Sequence, residues 1–204
     1  MLILVPTELE AKPLRERGLQ VALVGMGPVE AAVRASVLFQ KYERGPVVLV
    51  GLGGAYPGSG LQIGELALAN AEHFGDLGIC SFYVSGGLED LPCEREYALH
   101  HPLLEKAAAL LEEGGFPVAL GSFVTVCCAS RDPVRAKLLA TRHGGALIEN
   151  MEGFAVARVA REFSRPLIEL RAVSNLLAEP ERPWDFVRPL EHLAEALTWL
   201  VRKF

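Results

Sequence analysis

Glu10, Glu152, Arg171 and Asn175 each stand just past a short apolar run, where a strand gives way to a turn or a helix. A carboxylate at such a point can act as a general base, and an amide can donate and accept at once. A buried arginine needs a counter-charge, and Glu10 is the expected partner of Arg171. Each carboxylate also has a plain structural reading. Thr7 and Glu10 in "PTELE" have the spacing of a capping box, which would make Glu10 a helix cap. In "ENMEG", Asn150 and Glu152 straddle a strand–helix boundary, Gly153 leaves room beside the new helix, and Met151 offers a soft apolar surface. A carboxylate in the first turn is worth a few tenths of a kcal/mol, roughly, through the helix dipole, so Glu152 is either that stabiliser or a ligand acceptor.

Glycines mark two further junctions. In "GLGGAYPGSG", Gly51, Gly53 and Gly54 either bare backbone amides to a ligand or form a tight loop into the Pro57-Gly58 turn. "GMGPVEAA" carries Glu30 or Ala31 where a dinucleotide fingerprint needs its third glycine, and reads as a close strand–helix turn. The histidines, His73, His100, His101, His143 and His192, show no i, i+4 pair and no nearby thiolate, so no metal site is expected. No nucleophile elbow or catalytic Cys-His spacing is present.

The elements that must position these residues follow from periodicity. Strands are predicted at "LILV", "QVALVG", "VVLVG", "GELALANAEHF", "VALGSFVTVCCA", "ALIENM" and "PLIELRAVS", most of them apolar on both faces as in a sheet covered by helices. Helical periods run over Thr7 to Arg17, Pro28 to Tyr42, Pro102 to Glu113, Pro133 to Arg142, Met151 to Phe163 and Leu190 to Phe204. The alternation predicts an α/β fold of one domain, residues 1–204, whose chemistry gathers at the carboxyl ends of the strands. A chain of 204 residues, half of them apolar or aromatic, can bury a substantial core. A net charge of −5 without clustered arginines argues against nucleic acid or anionic membrane as partner. The N-terminal "MLILVPTELEAK" lacks the form of a signal peptide. Cys80 and Cys93 stand alone and Cys127 and Cys128 are adjacent, with no C-x-x-C, which fits a reduced cytoplasm.

Together, "PTELE", "GLGGA", "ENMEG" and "RAVSN" resemble the nucleoside phosphorylase and nucleosidase family over almost the whole chain. The resemblance implies a three-layer αβα sandwich with a mixed, partly barrel-like central sheet, purine nucleosides as substrates, cleavage of the N-glycosidic bond, no cofactor and a homo-oligomer. By position it implies that Glu10 activates water, that Arg171 helps hold that water, and that Met151 and Glu152 pack against and bind the ribose. Gly53, Gly54 and Ser174 fall to the base-facing loop. Asn175 stands where the adenine nucleosidases carry an aspartate at the purine N7, which points to a 6-oxopurine. "GMGPVEAA" offers no arginine for phosphate, so water is the expected nucleophile. The rival readings are a methylthioadenosine or adenosylhomocysteine nucleosidase, a purine nucleoside phosphorylase and a non-catalytic nucleoside-binding protein. The passage from Tyr83 to His101 is a candidate part of the pocket for the 5′ substituent.

Overall fold

The computed structural model describes residues 1–42, 45–80, 85–86, 92–99 and 101–204. Among the described residues ten strands and six helices follow one another. They are β1 (Leu2–Val5), α1 (Glu8–Glu16), β2 (Val21–Leu23), α2 (Pro28–Lys41), β3 (Val47–Ala55), β4 (Leu66–Phe74), β5 (Ile79–Cys80), β6 (Ser85–Gly86), β7 (Glu96–Ala98), α3 (Pro102–Glu113), β8 (Val118–Thr125), α4 (Pro133–Arg142), β9 (Ile148–Asn150), α5 (Gly153–Glu162), β10 (Leu167–Leu176) and α6 (Val187–Lys203). All seven expected strands and all six helices are present. The short β5, β6 and β7 carry too few residues to show a period and escape a sequence reading.

Eight strands form one mixed sheet in the order β10-β4-β8-β9-β3-β1-β2, with β7 on β4. A further pairing of β10 with β3 closes five of them, β10, β4, β8, β9 and β3, into a barrel-like ring. Both faces of the sheet are covered, which is why its strands are apolar on successive residues. Leu2, Leu4, Val47 and Leu49 pack with Ala31, Ala35 and Phe39 of α2 and Val156 of α5. Their neighbours Ile3, Val5, Val48 and Val50 pack with Leu14 of α1, Leu104 and Leu111 of α3 and Leu193 and Leu197 of α6. The result is the expected mixed α/β architecture, layered helix–sheet–helix.

Two irregularities in pairing re-aim side chains near the end of the ring. The β4–β8 register shifts between Ala69 and Ala71, and the β10–β3 register shifts between Val173 and Asn175. An extra residue reverses which parity of side chain faces inward. Past its shift Glu72 meets Thr125 and Asn150 inside the ring, while Asn175 pairs with Gly54, turns off the face of Val173 and lines the cavity.

Gly53 lies at the seam of the ring, where a Cβ would overlap Ile148 Cγ2 and sit 3.0 Å from the Glu149 carbonyl oxygen. Gly53→Ala is therefore expected to force β3 from β9 and to cost about 1–3 kcal/mol, read as a lowered thermal midpoint. An unchanged midpoint would show that the seam has slack.

Candidate active site

Four strands end around one cavity of about 270 Å³. Its polar lining comes from Thr7 and Glu10 after β1, Glu149 and Asn150 of β9, Glu152 at the head of α5, and Ser174 and Asn175 of β10. Its apolar lining includes Leu52, Val126, Ala129, Met151 and Leu177, with Leu9, Met26, Trp184 and Phe186 at the exposed mouth. No lysine, arginine or histidine is among the described residues that line it.

Glu10 is both a cap and a cavity group. Thr7 Oγ1 accepts from the Glu10 N–H at 3.4 Å, and Glu10 Oε2 accepts from the Thr7 N–H at 3.0 Å and its hydroxyl at 2.6 Å. The second oxygen, Oε1, accepts from the Leu52 N–H at 2.9 Å. Burial lifts this carboxyl above its ordinary pKa, while the Thr7 and Leu52 hydrogen bonds and the charge of Arg171 oppose the rise. A raised carboxylate is a better proton acceptor near neutral pH than an ordinary one.

Glu152 is held from two sides. Its Oε1 accepts from the Gly27 N–H at 3.1 Å, and its Oε2 from Arg171 Nη1 at 3.2 Å. Gly27 reaches it because the "GMG" turn runs through Gly25 and Gly27 at φ near 80° and 86°, a conformation open to glycine. The motif is thus a close turn that delivers a backbone donor to the site. Glu152 stands at the N-cap position of α5 without a side-chain cap bond. That capping falls to Asn150, whose Oδ1 accepts from the N–H groups of Glu152 at 2.9 Å and Gly153 at 2.7 Å.

Arg171 behaves differently from expectation. It is 1% exposed and does not line the cavity. Its Nε donates to Glu169 at 2.9 Å, and its Nη1 donates to Glu152 and to the Leu52 carbonyl at 3.1 Å. Glu10 feels the guanidinium through space, without a hydrogen bond between them. A Cβ on Gly51 would lie 2.7 Å from both Arg171 Nη1 and Glu10 Oε1, so this glycine makes room for the two charges rather than for a ligand. The space over Gly54 is likewise taken by Leu177 and Asn175. Gly53 and Gly54 still contribute backbone to the cavity wall.

The far wall is locked by a second network. Glu149 accepts from the Ser130 N–H at 2.7 Å, the Ser130 hydroxyl at 2.6 Å and the Tyr56 hydroxyl at 3.0 Å. Arg135 bridges this group to Asp76 at 2.6 Å, and Asp76 caps the Cys127 and Cys128 N–H groups. Beside it, Ser174 Oγ donates to Asn175 Oδ1 at 2.8 Å, leaving the Asn175 NH2 group for an acceptor in the cavity.

The model of the Phosphorylase superfamily matches residues 14–204 of this chain. The chain belongs to that superfamily. A futalosine hydrolase of Thermus thermophilus is 33% identical over 98% of this chain and 94% of its own length. A 5′-methylthioadenosine/S-adenosylhomocysteine nucleosidase of Bacillus subtilis is 30% identical over 91% of this chain and 80% of its own. Among solved structures, the native futalosine hydrolase of Helicobacter pylori superposes with a TM-score of 0.83 at 18% identity, covering 99% of this chain and 97% of that one. At that identity the likeness speaks for the phosphorylase fold.

Within this superfamily member the structure gathers Glu10, Met151, Glu152, Gly53, Gly54, Ser174 and Asn175 around one cavity and sets Arg171 behind it. Sequence reasoning passed over Gly27, Glu72 and Glu169 as site or supporting groups. The available signal was a lone carboxylate inside an apolar strand, in "LALANAEHF" and "LIELRAVS". Residues 83–84, 87–91 and 100 of the suggested 5′ pocket lie outside the described residues.

Thr7→Val removes a helix cap and a donor that favours ionised Glu10. Stability should fall by about 1 kcal/mol, and the Glu10 titration followed by NMR should move further upward. A Glu10 titration that stays in place overturns this account of how the carboxyl is tuned.

Proposed function

We propose that this protein is a nucleosidase that hydrolyses the N-glycosidic bond of futalosine, releasing hypoxanthine and dehypoxanthine futalosine, a step of menaquinone biosynthesis. The observation that carries the reading is the convergence of Glu10, Glu152 and Asn175 on one cavity, with no cationic group among the described residues that line it. A phosphorolytic site needs a cation for its anionic nucleophile, so water fits this lining better. The relatives' names support the substrate class, and the methylthioadenosine-type nucleosidase is the alternative that the assay separates.

In this reading the bond to N9 breaks early and the ribosyl carbon gains oxocarbenium character. Glu10, fixed by Thr7 and Leu52, orients water and takes its proton. Glu152 keeps lone pairs free on both oxygens to accept the ribose hydroxyls, with Met151 against the sugar. Arg171 acts from behind, through Glu152, rather than on the water itself. Asn175 and Ser174 meet the base. We also infer a homo-oligomer, since Val29, Val33 and Val37 form an exposed apolar stripe along α2, beside the mouth residue Met26. The unpaired Cys93, Cys127 and Cys128 fit a cytoplasmic setting. Among the described residues no helix is long and apolar enough to cross a membrane. A single domain is inferred because strands from residue 2 to residue 176 share one sheet.

Incubation with futalosine, inosine, adenosine and methylthioadenosine, with and without phosphate, should give hypoxanthine from futalosine at a phosphate-independent rate. Glu10→Gln should abolish turnover and leave nucleoside affinity within about tenfold, because the amide keeps the shape and cannot take the proton. A folded Glu10→Gln protein that still turns over refutes the base assignment.

Asn175 decides the purine. Its NH2 group can donate to a 6-oxo acceptor, while Oδ1, already facing the Ser174 hydroxyl, retains capacity for a protonated N7. An ionised aspartate would face the 6-oxo group as acceptor to acceptor, and a mismatch of that kind costs about 1–3 kcal/mol. The ratio of kcat/KM for futalosine to that for its 6-amino analogue should therefore be about tenfold or more in the wild type. Asn175→Asp should shrink or reverse it, and a wild type that prefers the 6-amino substrate moves the adenine nucleosidase reading to first place.

A further inference from the structure

Glu72 of β4 and Glu169 of β10 lie deeper than the cavity, and neither has measurable exposure or a place in its lining. Both are aimed at one small volume. A Cβ on Gly153 would fall on Glu72 Oε1 and lie 2.5 Å from Glu169 Oε2. The glycine at the head of α5 therefore lets two carboxyls meet beneath the helix.

The surrounding donors are accounted for. Asn150 Oδ1 is taken by the two N–H groups at the head of α5, so its NH2 group must face away, and it donates to Glu72 Oε1 at 2.5 Å. Thr125 Oγ1 accepts from the Phe154 N–H at 2.7 Å, and its own proton goes to Glu72 Oε2 at 2.8 Å or to Asn150 at 3.1 Å. Glu169 Oε1 accepts from Arg171. Glu169 Oε2 finds no partner among the described residues. Two ionised carboxylates here would leave that oxygen orphaned against a like charge, whereas one proton between them turns the orphan into a hydrogen bond.

We propose that Glu72 and Glu169 share a single proton, and that this pair is the positioning device that holds Asn150 and, through it, Glu152. The Arg171 guanidinium on Glu169 favours the charge there, which places the shared proton on the Glu72 side, where the donors, Asn150 and Thr125, are neutral. The charged groups facing the pair are Arg171 on β10 and Glu152 at the head of α5, with Tyr56 after β3 farther out beside Glu149. Burial raises both carboxyls, and repulsion from Glu169 adds to the rise at Glu72. A carboxyl raised on folding binds its proton more tightly in the folded state. Its contribution to stability is present at low pH and is lost as pH rises through the folded value.

Two amide substitutions discriminate. Glu169→Gln removes the charge that retains the proton on Glu72, with its carbonyl toward Arg171 and its NH2 group toward Glu72. Glu72→Gln stands in for the protonated acid and leaves the charge on Glu169 to Arg171. The wild type should show the infrared carbonyl band of a protonated carboxyl, lost in Glu169→Gln, and a thermal midpoint that falls on the alkaline side. Glu169→Gln and Glu72→Gln should each lack the band and keep a midpoint that no longer falls over that range. A Glu72→Gln protein that keeps the band or tracks the wild-type fall refutes the shared proton, whether or not Glu169→Gln folds.

The link to turnover rests on the ribose-binding role proposed for Glu152; the melting and infrared readings need no substrate and stand without it. With futalosine, kcat/KM of the wild type should fall about tenfold per pH unit beyond the alkaline limb, as for loss of one proton, and Glu169→Gln should remove that limb. A limb unchanged in Glu169→Gln, with the infrared band gone, refutes the positioning role.

Discussion

The interior of this protein is organised around one buried cation. Arg171 cannot lose its proton, and its guanidinium has no route to solvent, so its charge must be met by fixed acceptors. They come from three directions: Glu169 two residues back on the same strand, Glu152 at the head of α5, and the Leu52 carbonyl on β3. The last two contacts tie β10 to α5 and to β3. The strand that closes the ring, the strand that carries the glycines and the helix that carries Glu152 are thereby registered against one planar group. Truncating such a residue would leave buried carboxylates without a counter-charge, an effect of about 3–5 kcal/mol in comparable cases.

That organisation makes the glycines intelligible. Gly51 clears the space where Arg171 and Glu10 approach β3, and Gly153 clears the space where Glu72 and Glu169 meet under α5. Neither has a φ that demands glycine, since neither is among the positive-φ glycines. What each supplies is missing volume beside a charged group. The turn glycines Gly25 and Gly27 serve the other purpose, a left-handed backbone that presents the Gly27 N–H to Glu152.

Much of this was legible from the residues. Apolar runs on both strand faces announced a covered sheet, Pro at the helix starts marked α2, α3 and α4, and Glu169 and Arg171 at i, i+2 belong on one face of a strand by simple alternation. Glu72 was not legible in the same way. Counting by twos from Ala67 and Ala69 puts Ala71 inside and Glu72 outside, and the register shift after Ala69 that reverses this leaves no residue signature in "LALANAEHF". The pairing of Arg171 was misread for a related reason. A spacing shows which carboxylates are near a strand end, and says nothing of which one a rigid fork can reach in three dimensions.

The distinction between Glu10 and Glu152 follows from that reach. Both are nearly inaccessible carboxylates on one cavity, yet Glu152 receives a guanidinium N–H while Glu10 receives a backbone N–H and the Thr7 hydroxyl and N–H. Neutral donors stabilise an anion less than a charged one does, so burial prevails at Glu10 and its proton affinity rises. Two residues of identical chemistry are thus set to different work by their neighbours: one poised to accept a proton, the other clamped to accept hydroxyl donors. A direct hydrogen bond from Arg171 to Glu10 would work against this division, since a guanidinium on Glu10 would lower the basicity that general-base chemistry needs. The displacement of Arg171 behind the cavity wall is what keeps the two roles apart.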